Sequence, residues 1–246
     1  MDSLVGKTAL VTGGAKRIGA GVARALARAG ANVVLHYQHS HDEADLLARE
    51  ITALGQNAWT LSADLAQSSE VKALLPKAID LAGPLDILIN NASIFPTDTL
   101  MGFDEEALGA SIQVNAMAPL ILARAFAAQE HGGAIVNLLD ARIVDYDATH
   151  VTYHLSKRML YSMTRMLAVE LAPTIQVNAV APGLVLPPPG QDTEYLERLK
   201  GSNPLNRYGS LTGITDAVTF LVKSDFITGQ VIYVDGGRHL RGSMYG

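Results

Sequence analysis

Tyr153 and Lys157 stand four residues apart, the spacing that places two side chains on one face of a helix. A free phenol, with a pKa of about 10, relays protons poorly at neutral pH. A fixed ammonium beside it favours the phenolate, each pKa unit corresponding to about 1.4 kcal/mol. Tyr153 could then exchange a proton while a hydride moves within the same site. The spacing alone is common. Its meaning depends on what surrounds it.

Far upstream lies a candidate phosphate cradle. The apolar run 8–12 leads into Gly13-Gly14-Ala15-Lys16-Arg17-Ile18-Gly19-Ala20-Gly21 and then an alanine-rich stretch. Glycines between a strand and a helix let backbone N–H groups approach a pyrophosphate at the helix N-terminus, where the dipole favours an anion. Gly13, Lys16, Arg17, Ile18 and Gly19 are therefore candidate cofactor contacts. The spacing is not the common G-x-G-x-x-G, so the position between strand and helix carries the dinucleotide reading.

The end of the second strand bears on which dinucleotide binds. It reads His36-Tyr37-Gln38-His39-Ser40, with no carboxylate until Asp42. An acidic residue there would hold the ribose hydroxyls of NAD and repel the 2′-phosphate of NADP. Lys16, Arg17, His39 and Ser40 can instead hydrogen-bond that phosphate, which favours NADPH. If His36 and Tyr37 only pack and cap the strand, the choice stays open. Asp64 and Leu65 follow the third strand, and Asn90-Asn91-Ala92-Ser93 follows the fourth. These strand ends are where an α/β sheet collects ligand contacts, although each segment also reads as an ordinary turn.

The elements that must position these residues follow from the pattern. Short apolar runs at 8–12, 32–37, 58–61, 87–89, 134–139, 176–180 and 231–234 read as seven strands. Their apolar character on both faces suits a parallel sheet covered on each side. Helical stretches at 18–29, 41–54, 68–81, 104–129, 151–172 and 213–223 alternate with them. This alternation predicts an α/β, Rossmann-like doubly wound sheet of about seven mostly parallel strands, with helices on both faces. With no linker, repeat or low-complexity tract, residues 1–246 read as one domain. Pro187-Pro188-Pro189-Gly190 predicts a stiff loop after a strand end, either a pocket wall or a rigid connection.

Bulk properties narrow the class. Hydrophobic residues make up 48% of the chain and charged ones 17%, enough to bury a large core and unlike a disordered chain. A net charge of -5 argues against nucleic-acid or membrane-surface binding, while leaving room for a local basic pocket. The absence of cysteine excludes disulfides, thiolate chemistry and cysteine-based metal sites. No secretory pattern opens the chain, and no apolar stretch reads as reaching the ~20 residues that span a bilayer. The expectation is a cytoplasmic enzyme acting on a small molecule.

Taken together, the glycine-rich turn, Asn90-Asn91-Ala92, Asn115, Tyr153 with Lys157, Asn178-Ala179-Val180-Ala181-Pro182-Gly183 and Asp235-Gly236-Gly237 resemble the short-chain dehydrogenase/reductase family across the whole chain. The resemblance implies hydride transfer from a nicotinamide, Tyr153 as proton donor and Lys157 on the nicotinamide ribose. It implies that Asn115 supports a water-linked proton relay. It also implies cofactor contacts from Asn91, Ala92, Pro182 and Gly183, and a homotetramer.

Three departures from that family sharpen the resemblance. Arg17 replaces a glycine of the turn, Ser93 replaces the glycine of Asn-Asn-Ala-Gly, and Asp140 stands thirteen residues before Tyr153 where a serine is usual. Ionised aspartate only accepts hydrogen bonds and repels a forming alkoxide, so Asp140 suits a substrate that presents N–H groups or needs a proton on nitrogen. A partly buried carboxylic acid could itself supply that proton. Asp140 also fits a surface turn. With Leu35-His36-Tyr37 and Ser93-Ile94-Phe95-Pro96-Thr97, these departures resemble pteridine reductases. That subgroup implies a pterin stacked between Phe95 and the nicotinamide, contacts from Ser93, Arg17, Tyr153 and Leu184, and proton handling by Asp140 and Tyr153. Phe95 as core packing, a carbonyl reductase, and a non-catalytic NADPH-binding regulator are the competing readings. The tail 238–246 either reaches a neighbouring subunit's site or forms a loose terminus.

Overall fold

Alternate residues of each strand enter different cores, which explains why the strands are apolar throughout. In the computed structural model, which describes residues 3–145, 148–188 and 190–243, β1 (Thr8–Val11) sends Ala9 and Val11 to one core and Leu10 to the other. β2 (Asn32–Tyr37) divides likewise, Val33 and Leu35 against Val34. One core holds α1 (Arg17–Arg28), α2 (His41–Ala53) and α8 (Leu211–Lys223) against the sheet. The opposite core is built with α3 (Ser68–Ala82), α5 (Ala118–Ala127) and the buried side of α6 (Val151–Glu170).

The remaining strands are β3 (Ala58–Ser62), β4 (Ile87–Asn90), β5 (Gly133–Leu138), β6 (Ile175–Pro182) and β7 (Val231–Val234). All pair in parallel, in the order β3-β2-β1-β4-β5-β6-β7. The chain winds outward from β1 to β3 and then restarts beside β1 with β4. That reversal opens a crevice at the carboxyl ends of the strands. The expected fold class is the observed one.

Three expectations need correction. The stretch 104–129 is not one regular helix: α4 (Glu105–Ile112) passes into a π-helical turn, Gln113–Met117, before α5 begins. A π turn hardly interrupts an apolar pattern, so periodicity passes over it. Nor does the pattern give α7 (Thr193–Leu199), which is too short for a periodic signal and is capped by Asp192 accepting from the Glu194 N–H. The run Glu105–Ala127 is also long and apolar enough to cross a membrane, contrary to the reading of the sequence, but half of it is buried inside the fold.

A buried polar chain registers α6 on the sheet. Asn90 Nδ2 donates to Asn137 Oδ1 at 2.8 Å, and Asn137 Nδ2 donates to Thr164 Oγ1 at 2.9 Å. Thr164 Oγ1 in turn donates to the Leu160 carbonyl at 2.8 Å. Replacing Thr164 with valine leaves the Asn137 amide buried without its acceptor. Urea unfolding should show that Thr164→Val costs about 1–3 kcal/mol, whereas Thr164→Ser stays near wild type.

Candidate active site

α6 carries Tyr153 and Lys157 onto the end of β5. The Lys157 ammonium, only 3% exposed, donates to the Leu138 carbonyl at 2.8 Å. Burial lowers its pKa to about 8, against the opposing charge of Asp140. The Tyr153 hydroxyl donates to Asp140 Oδ2 at 3.1 Å, and Asp140 Oδ1 accepts from the Arg142 N–H at 2.7 Å. Asp140 thereby caps the 3₁₀ turn Ala141–Val144, and both its oxygens act as acceptors.

The protonation of Tyr153 differs from the expectation. Burial, then the charge of Asp140 and its hydrogen bond, push the phenol pKa well above its ordinary value, and Arg142 only partly opposes them. The Lys157 nitrogen lies 5.8 Å from the ring centroid and does not reverse this. The phenol is therefore held in the protonated, donor form. A proton donor is what a reduction requires.

The π turn presents Asn115, which is fully buried and joins three segments. Its Oδ1 accepts from Ser93 Oγ at 3.0 Å and from the Ile94 N–H at 2.9 Å. Its Nδ2 donates to the Ile94 carbonyl at 3.0 Å and to Ser156 Oγ at 2.9 Å. Ser156 Oγ donates to the Tyr153 carbonyl at 2.6 Å. With both its donors and both its lone pairs engaged, the Asn115 side chain fastens the loop after β4 to α6. On that loop the Phe95 ring stands T-shaped to Tyr153, with centroids 4.6 Å apart, and stacks on His150 at 4.0 Å and 13°. Phe95 is not core packing, since half of it is exposed.

The glycine turn forms the other half of the site. Gly13 adopts φ +59, and a Cβ on Gly19 would lie 2.1 Å from the Gly13 carbonyl, so the helix start closes tightly onto the turn. No side chain caps α1, which leaves its first N–H groups for an anion. These residues fit a dinucleotide pyrophosphate. Arg17 holds φ +54, an uncommon conformation for a residue with a Cβ, and donates to the Pro187 carbonyl at 2.6 Å. Lys16 pairs with Glu43 at 2.7 Å on the exposed flank.

The other expected contacts sort by position. Ile18 packs partly buried against the core, and Tyr37 sits edge-on to His41 at 5.7 Å. His39 is exposed and Ser40 half-buried at the start of α2. Asn91 and Ala92 donate their N–H groups to Thr12 Oγ1 at 2.9 and 3.1 Å. Asp64 accepts from the Ala66 N–H at 3.0 Å, and the Leu65 carbonyl accepts from Gln113 at 3.2 Å. Pro182 ends β6 beside Val234, where Gly183 follows. His36 is deeply buried with both ring nitrogens on backbone groups, so its ring has no polar atom left for a cofactor.

Leu184 lines a cavity with Pro204, Tyr208, Tyr233 and His239 that does not reach Tyr153, Lys157, Asp140 or Asn115. His239 stacks on Tyr233 at 4.0 Å and binds Asp235 Oδ2 at 2.8 Å, which fastens the start of the tail to its own chain. Pro189 and Met244–Gly246 lie outside the described residues. Sequence reasoning missed Thr12, Ser156 and His150. Thr12 and Ser156 sit directly beside the motifs, but nothing in the sequence pairs His150 with Phe95.

The match to known proteins decides the family. The profile described as "Enoyl-(Acyl carrier protein) reductase" matches residues 13–239. The chain belongs to the short-chain dehydrogenase/reductase family. It is accordingly an NAD(P)-dependent oxidoreductase by family. Among solved members, the FolM alternative dihydrofolate reductase 1 of Brucella suis in complex with NADP is 37% identical, covers 96% of each chain and has a TM-score of 0.90. The angucycline C-6 ketoreductase LanV with bound NADP is 31% identical over 97% of each chain, with a TM-score of 0.89. The 3-oxoacyl-acyl-carrier-protein reductase FabG of Staphylococcus aureus is 34% identical over 242 residues, 95% of this chain and 98% of its own.

The buried ammonium gives this dehydrogenase/reductase site a pH signature. As pH rises through about 8, Lys157 loses its proton, and with it the charge that a bound cofactor or a developing phenolate would meet. With the cofactor as varied substrate, kcat/KM should fall through an ionisation near that pH, and Lys157→Arg should remove the fall below pH 10. A flat wild-type profile from pH 7 to 10 would contradict the assignment.

Proposed function

We propose that this protein reduces a dihydropterin or a related folate-type ring with NADPH. The Tyr153–Asp140 hydrogen bond carries the reading. With Asp140 as acceptor, the phenol O–H points at a carboxylate. A substrate whose own N–H groups take over that oxygen frees the Tyr153 proton for a ring nitrogen. A ketone has no donor to make the exchange, and its developing alkoxide would meet a negative charge.

When bound, NADPH supplies a hydride to a ring carbon. Tyr153 gives its proton to the adjacent nitrogen, so a C=N bond becomes CH–NH. Lys157 has one N–H on Leu138 and two more for ribose hydroxyls, and its charge offsets the phenolate that remains. The α1 N-terminus and the glycine turn would hold the pyrophosphate, and Lys16, Arg17, His39 and Ser40 would bind the 2′-phosphate. Phe95, half-exposed beside Tyr153, offers a flat heterocycle an aromatic partner. Ser93 and Arg17 are the further substrate contacts of this reading. If a water relay runs past Asn115 it uses the main chain, since the side chain is saturated. The likeness to the FolM enzymes fits this reading. We extend it to a single domain acting as a homotetramer.

A carbonyl reductase is the second reading, favoured by the likeness to FabG and LanV. NADPH oxidation followed at 340 nm with dihydrobiopterin, dihydromonapterin, dihydrofolate and acetoacetyl-CoA in parallel separates them. The proposal expects kcat/KM for at least one pterin to exceed that for the ketone by about a hundredfold, the size of a mismatched proton-transfer step. Turnover of the ketone alone would transfer the assignment to the second reading.

A further inference from the structure

His36 is a buried titratable residue that the mechanism does not use, yet its side chain and main chain both bond to the glycine turn. Its ring is 2% exposed. Nδ1 lies 3.1 Å from the Gly13 nitrogen and Nε2 lies 3.0 Å from the Ala63 carbonyl. A carbonyl only accepts, so Nε2 carries the proton and Nδ1 offers its lone pair to the Gly13 N–H. Burial keeps the ring's pKa below its ordinary value, against the opposing bond to Ala63, and so keeps the ring neutral. The His36 main chain adds a third tie, its carbonyl accepting from the Gly14 N–H at 2.8 Å.

Gly13 is the residue on which the turn pivots. Its N–H is taken by His36 from β2, and its carbonyl accepts from Asn91 Nδ2 at 3.0 Å at the end of β4. Those strands flank β1 on either side. The Thr12–Gly13 peptide is thus held by His36 on its N–H and by Asn91 Nδ2 on the Thr12 carbonyl at 2.9 Å, and the Gly13–Gly14 peptide by the His36 carbonyl and the same Asn91 amide, so that their direction sets where the free N–H groups of α1 point. Main-chain bonding alone would hold Gly14 and leave the Gly13 N–H without an acceptor.

We infer that His36 is a positioning residue that aims the glycine turn at the cofactor pyrophosphate through its Nδ1, with the bond to Ala63 serving to fix the tautomer. The inference rests on the dinucleotide-binding reading of the turn. Two near-isosteric substitutions separate the two halves of the ring. In His36→Asn the side-chain oxygen falls near the place of Nδ1 and keeps the Gly13 bond. In His36→Gln the terminal amide falls near the place of Nε2 and keeps the Ala63 bond.

NADPH dissociation constants, measured by fluorescence titration beside thermal melts of each protein, test the point. His36→Gln should bind NADPH about tenfold more weakly, equivalent to about 1.4 kcal/mol, while His36→Asn stays within about threefold of wild type. The KM for NADPH should rise in the Gln variant with kcat at saturation preserved, and the melting temperatures should not follow this order. Equal binding by both variants would overturn the inference. So would a tenfold loss in His36→Asn, which decides the matter even if His36→Gln does not fold. Failure of wild-type protein to bind NADPH would instead overturn the dinucleotide reading itself.

Discussion

A buried ammonium must find an acceptor inside the protein, because the desolvation it suffers is too large to leave uncompensated. Lys157 finds the Leu138 carbonyl at the end of β5. That bond requires α6 to lie in one place over the sheet, and the Asn137–Thr164 contact holds the same placement one layer deeper. Tyr153, one helical turn before Lys157, is then carried to Asp140 just beyond β5. Asn115 fastens the loop bearing Phe95 to the same helix. Tyr153, Lys157, Asp140 and Asn115 are therefore gathered around one support, α6 on β5, and the glycine turn follows β1.

Within that frame the chemistry is decided by competition for one phenol. An ammonium lowers the cost of a phenolate, while burial and an adjacent carboxylate raise it. Here burial and Asp140 prevail. A serine in place of Asp140 would leave the phenol free to bond a carbonyl substrate directly. Asp140 instead takes the phenol proton into a hydrogen bond, and on the proposed reading a substrate's N–H donors would displace it. Arg17 is a second departure with a physical cost: it adopts a backbone conformation that glycine takes freely, and in return its guanidinium reaches Pro187 across the crevice.

The fold was almost wholly legible because seven apolar runs alternating with helical stretches permit few arrangements. Gly13 and Gly19 were readable too, since each occupies a place where a side chain would clash or strain the turn. What stayed hidden depended on geometry between distant residues. The π turn preserves the apolar stripe and so leaves no mark on periodicity. The protonation of Tyr153 depends on weighing burial against two opposite charges, which spacing cannot do. His36 could be placed beside the cofactor, but not which atoms its ring nitrogens would meet. Leu184 could be placed after β6, but not which cavity it would line. The pairing of Phe95 with His150 joins residues far apart in the chain whose types alone suggest no contact.

The claim most exposed to test is that Asp140 selects a nitrogen-protonated substrate. The direct measurement is kcat/KM for a dihydropterin and for an acetoacetyl substrate in wild type and in Asp140→Ser, with the melting temperature as control. The account predicts that pterin reduction falls about a hundredfold while ketone reduction holds or rises. An Asp140→Ser enzyme that keeps full pterin activity would contradict it.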